Sequence, residues 1–123
     1  MGALARDIMG GGTSAGQAKA MNGRTASAVS AAGTALSDAT ALNATMNRVT
    51  TVASGAGVRL FNGEIGDCLY VYNGGANQLI VYPHASTGTI NQLSAGTGMT
   101  LAQYTNCVYR RVTSTIWIAH MSA

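Results

Sequence analysis

The sequence predicts an all-β fold, an antiparallel and jelly-roll-like β-sandwich carried behind an extended N-terminal arm. Three observations lead there. Short runs of β-branched and aromatic residues recur about every ten residues. Between them stand turn formers such as Ser54-Gly55-Ala56-Gly57 and Asn73-Gly74-Gly75. The strands so marked are too short to stand alone, so two sheets must face one another. A chain of 123 residues is long enough for one domain with its own core. We divide it into an arm over 1–24 and a β-domain over 25–123.

The arm differs in composition from the rest. Residues 3–9 and 17–21 can each make a helical turn, but the glycines among them, Gly10-Gly11-Gly12 above all, argue against a lasting isolated helix. As an extended segment that orders against a partner, it offers Ala3, Leu4, Ile8, Met9 and Met21 as apolar contacts. Arg6, Lys19 and Arg24 are its cations, against the single acid Asp7.

In the β-domain, strands are expected over 26–31, 40–44 and 48–53, where Thr and Val outweigh the helix tendency of Ala. A short strand over 58–61 ends at Asn62-Gly63. Strands over 68–72 and 79–82 flank the 73–78 loop and read as a central β-hairpin. Further strands are expected over 89–93 and 99–102. A closing hairpin follows over 106–113 and 115–120, with Tyr109 and Arg111 on one face and Val108, Arg110 and Val112 on the other. Trp117, Ile116 or Ile118, Leu79, Val81 and Tyr70 are the expected core.

The central hairpin is apolar on both faces. A strand with one wet face should alternate apolar with polar. If Tyr70, Leu79 and Val81 fill the core, then Leu69, Val71, Ile80 and Tyr82 are left facing outward, as an oligomer interface. Composition agrees. Only 9% of residues are charged and 47% are hydrophobic, a balance that suits a surface largely covered by neighbours.

Net charge is +3, with Arg6, Lys19, Arg24, Arg48, Arg59, Arg110 and Arg111 scattered along the chain. Nucleic-acid binding wants a dense basic stripe, and none is present. No apolar run approaches the length of a membrane span. The N-terminal stretch lacks the apolar core of a signal peptide, so synthesis in a cytoplasm is the expectation. Cys68 and Cys107 fall in strands without metal-ligand spacing and read as buried free thiols.

Catalytic chemistry finds little to work with. Asp7, Asp38, Glu64 and Asp67 form no general acid–base pair, and Glu64 with Asp67 is too small a set for a cation. His84 and His120 read as ordinary loop and strand-end residues. Gly10-Gly11-Gly12-Thr13-Ser14 lacks the strand and the Lys of a phosphate loop. No enzyme, cofactor or metal is expected. Tyr70, Tyr72, Tyr82, Tyr104, Tyr109 and Trp117 leave a sugar-stacking surface as an alternative.

Several segments taken together resemble a small β-domain of tailed-bacteriophage virion proteins. They are Ala28 to Thr34 (AVSAAGT), Asn47 to Leu60 (NRVTTVASGAGVRL), Tyr70 to Asn77 (YVYNGGAN), Leu79 to Pro83 (LIVYP) and the closing Arg111 to Trp117 (RVTSTIW). The likeness covers roughly 26–123; it departs at 61–65, where such domains often carry Pro. It implies a virion protein on the capsid surface, of the cement, decoration or head-fibre kind. The expected partners are further copies of itself, as a trimer or dimer, and the major capsid protein, which the arm would grip. Alternatives are a tail or head-fibre module that binds host glycan, or a tail or connector component.

Overall fold

The computed structural model describes residues 24–121. These described residues form ten strands: β1 (Thr25–Ser30), β2 (Thr40–Ala41), β3 (Met46–Thr51), β4 (Gly57–Arg59), β5 (Cys68–Asn73), β6 (Leu79–Tyr82), β7 (Thr89–Ile90), β8 (Met99–Leu101), β9 (Asn106–Arg111) and β10 (Ile116–Met121). They form a six-stranded sheet in the order β1-β3-β5-β9-β10-β7 and a four-stranded sheet in the order β2-β4-β6-β8. The described residues hold no α-helix, only a 3-10 turn at Leu36–Asp38. There the Asp38 carboxylate accepts from the backbone N–H groups of Thr34 and Ala35.

The all-β expectation stands, but the topology is not that of an antiparallel jelly roll. Up to β6, each turn of chain lays one strand in each sheet. β1, β3 and β5 pair in parallel, and so do β2, β4 and β6. The stacking is solenoid-like. After β6 the direction changes. β8 runs antiparallel to β6, β9 to β5 and β10 to β9, while β7 lies parallel to β10. Both sheets are therefore mixed.

The expected central hairpin does not exist. β5 lies in the large sheet and β6 in the small one, and the loop between them carries the chain across. Its glycines serve a different purpose from a hairpin's: neither Gly74 nor Gly75 has a positive φ. Gly75 is required by close approach, since a Cβ there would lie 2.6 Å from Val52 Cγ2 and 2.8 Å from Val52 N. Asn73, fully buried, ties the corner together. Its Nδ2 donates to Asn77 O and Leu101 O, each at 2.9 Å, and its Oδ1 accepts from Gly75 N at 3.0 Å. Asn77 Nδ2 in turn donates to Val52 O, joining this corner to the preceding one.

The core fills the space between the sheets. Val49, Val71, Tyr109 and Trp117 point in from the large sheet, and Val58, Leu79, Val81 and Leu101 from the small one. Trp117, Leu79 and Val81 are where the sequence puts them. Ile116 and Ile118 lie on the other face of β10, exposed and half-buried. Tyr70 is a correction: it points outward, as described below. The closing hairpin of β9 and β10 forms as expected, with Tyr109 and Arg111 turned inward.

Candidate functional site

The surface that stands out is the outer face of the large sheet. Alternation along β3 and β5 sends Asn47, Val49, Leu69 and Val71 inward and Met46, Arg48, Tyr70 and Tyr72 outward. Register then sets these side chains beside one another. Met46 is the neighbour of Tyr70, and Tyr70 of Val108; Arg48 is the neighbour of Tyr72, and Tyr72 of Asn106. The result is a shallow groove of about 410 Å³, mostly apolar, in which Met46 is 44% and Tyr70 43% exposed. Arg48 is its cation, and no carboxylate of the described residues lines it. Isolated exposed apolar residues are ordinary; a registered row of them on one sheet face marks a contact surface.

The oligomer-interface residues expected from the sequence are distributed differently. Leu69 and Val71 are buried in the core, so on β5 the inward and outward faces are exchanged relative to expectation. On β6, Leu79 and Val81 do face the core. Ile80 is half-buried on the outer side, and Tyr82 is 8% exposed there. Tyr82 is covered because it lies across two glycines: a Cβ on Gly57 or Gly98 would meet its ring within 3.1 Å. The sequence carried one signal for the exchange on β5. Leu69 and Val71 have no polar atom to satisfy, whereas burying Tyr70 and Tyr72 would require partners for two hydroxyls. Of the arm residues, Ala3, Leu4, Arg6, Ile8, Met9, Lys19 and Met21 lie outside the described residues. Arg24 is exposed, and its carbonyl accepts from Thr45 N and Met46 N beside the groove.

A second feature went unread in the sequence. Arg111 is a buried cation whose two Nη groups meet an open ring of acceptors, while its Nε is buried without a partner among the described residues. Its Nη1 donates to Asn62 Oδ1 at 3.1 Å and Gly63 O at 2.9 Å, and its Nη2 to Ser114 O at 2.6 Å. Its guanidinium lies 5.9 Å from the centre of the Trp117 ring. Trp117 Nε1 donates to His84 Nδ1 at 2.9 Å, and Arg111 Nη2 lies 3.2 Å from His84 Nε2. A neutral imidazole has one acceptor nitrogen and a protonated one has none. We assign the acceptor to Nδ1, because the Trp117 indole N–H has His84 as its partner alone among the described residues while Arg111 Nη2 also holds Ser114. Burial, and then the charge of Arg111, hold the His84 pKa below its usual range.

This cluster braces the 61–67 loop. Besides the Arg111 side-chain bonds, Gly66 N donates to Arg111 O at 2.7 Å and Arg111 N to Asp67 O at 2.9 Å. Asp67 Oδ2 accepts from Glu64 N. Glu64 and Asp67 thus belong to a turn, with Glu64 exposed at its tip. Among the described residues, no group of three His, Cys, Asp or Glu side chains is placed to hold a metal ion. No helix there is long and apolar enough to cross a membrane. Cys68 and Cys107 lie on adjacent strands but face opposite sides of the sheet, paired with Arg110 and Val71 respectively. No family model, curated protein or solved structure matches the chain.

Proposed function

We propose that the protein is a non-enzymatic structural component of a tailed-bacteriophage virion, a cement or decoration protein. Its copies self-associate and bridge subunits of the major capsid protein on the capsid surface. The observation that carries this is the row Met46–Tyr70–Val108, an apolar stripe on a sheet face that the described residues leave uncovered. Low charge and the segment-by-segment likeness to virion β-domains point the same way. A trimer suits local threefold positions on an icosahedral shell. Residues 1–24 reach a neighbouring subunit, and oligomerisation multiplies each weak arm contact.

Two measurements test it. Light scattering on the purified protein should give the mass of a small closed oligomer. Mixing with undecorated capsids should give saturable binding, which loses most of its occupancy when 1–24 is deleted. Full occupancy by the armless protein would remove the arm from the proposal, and failure of the intact protein to bind any such shell would remove the decoration role.

A second reading draws on a different observation: Tyr70 and Tyr72 stand side by side on the outer face with Arg48 adjacent, an arrangement able to stack on sugar rings and hold an acidic group. A glycan array separates the two, since a decoration protein should leave it blank.

A further inference from the structure

Beyond the groove, the described surface carries a second apolar feature, and its position is mechanically unusual. The 61–67 loop projects Phe61 at 43% exposure and Ile65 at 63%, with the exposed acid Glu64 between them. A surface loop with two large apolar side chains in water would ordinarily be loose. This one is held from below by the buried Arg111, through Asn62, Gly63, Gly66 and Asp67. A Cβ on Gly63 would overlap Asp67 Oδ2 and approach the Phe61 ring to 2.6 Å, so the turn is also tightly wound. The buried cation and its ring of acceptors thereby keep an apolar knob in a fixed shape.

Knob and groove are complementary. The groove is apolar at Met46, Tyr70 and Val108; its cation Arg48 donates to Ser27 O at 3.2 Å and meets no carboxylate among the residues that line it. The knob is apolar at Phe61 and Ile65 and carries a carboxylate at Glu64. The two share no residue, so each copy can offer both at once. Building on the self-association proposed above, we infer that the groove is occupied by the 61–67 loop of a second copy of this chain. Ile65 and Phe61 seat against Met46, Tyr70 and Val108, and Glu64 pairs with Arg48. A contact between two different patches is satisfied throughout when copies close into a ring.

The test uses the full-length chain and two exposed positions, so neither substitution disturbs the core. Ile65→Asp spoils the knob and Tyr70→Asp spoils the groove. Each variant alone should fall to the single-chain mass of 12.5 kDa by light scattering, with the thermal melt of its fold retained. Mixed in equal amounts, they should form a two-chain complex, because one keeps its groove and the other its knob. Independently, Glu64→Arg and Arg48→Glu should each abolish the oligomer, and the double variant should restore it. If Ile65→Asp keeps the oligomeric mass of the unsubstituted protein, or the mixture stays single-chain, this contact is overturned while self-association stands. If the unsubstituted protein is itself single-chain, both fall.

Discussion

From β1 to β6 the chain winds, and each turn leans on the one before through small residues. Val58 and Val81 are registered neighbours, Gly75 lies against Val52, and Asn73 and Asn77 knit the corners. From β7 to β10 the chain runs back and forth, and the burial is concentrated. Trp117, Tyr109 and Arg111, with Ile90, Leu101 and Cys107, fill this end of the core, while Leu and Val side chains fill the rest. Stacked turns share their burial among many Val and Leu side chains, because each turn meets another turn through parallel strands. The last turn has no successor. Its core has to be closed by bulk and by antiparallel strands that use up the free edges of β5 and β6. Stability should therefore be diffuse in the first region and localised in the second.

The largest expected effect is in the localised region. Trp117 is fully buried, and Trp117→Ala should lower unfolding free energy by about 3–5 kcal/mol, measured by denaturant titration. No single Val-to-Ala change at β3 to β6 should reach that range. If one does, the contrast between the two regions is wrong.

Next comes a close approach between two corners of the stacked region. Gly75→Ala would set a methyl against both the side chain and the backbone of Val52, so neither can yield cheaply. A loss of about 1–3 kcal/mol is expected in the same titration. Gly74→Ala should be milder, because the nearest atom is the Tyr72 ring at 3.1 Å, the end of a half-exposed side chain.

These corners also explain what the sequence conceals. The positions of all ten strands were legible, because alternation and turn residues are local. The β9–β10 hairpin was legible for the same reason: its partners are adjacent in the chain. The β5–β6 relation was not. An Asn/Gly-rich loop serves equally for a hairpin within one sheet and for a corner between two, and only the parallel neighbours β3 and β4, a full turn away, decide between them. The apolar surface was anticipated as a kind but placed on Leu69 and Val71 rather than Tyr70. The Arg111 ring was invisible, since Asn62, Gly63, His84 and Ser114 are brought together only by the fold.

A smaller effect should follow pH. The His84 pKa is lowered in the fold by burial and by Arg111, so the unfolded chain binds its proton more readily. The stability that His84 contributes is complete above its ordinary value of 6.5 and declines as pH falls through that value toward the folded one. The slope should stay well under the roughly 1.4 kcal/mol per pH unit that one whole proton allows, because the ring is partly in contact with water. His84→Gln should flatten the profile between pH 7 and 5. Asp38, whose carboxylate is held low by the Ala35 and Thr34 amides, acts only below 3.8 and does not overlap this window.

The smallest change in stability, and the sharpest local probe of the large sheet, comes from the two thiols. Cys68 is half-buried on the outer face of β5; Cys107 is fully buried on the inner face of β9, where burial raises its pKa. A thiol reagent should modify Cys68 in the native protein. Cys107 should react on the order of 10³-fold more slowly, because reaching it requires opening a core whose unfolding costs at least about 5 kcal/mol. Oxidation should leave no intrachain disulfide, since the strand register turns the two sulfurs to opposite sides. Equal reactivity of both thiols, or an intrachain bond found by mass spectrometry, would mean that β9 sits in another register. The outward row of Met46, Tyr70 and Val108 would then be lost with it.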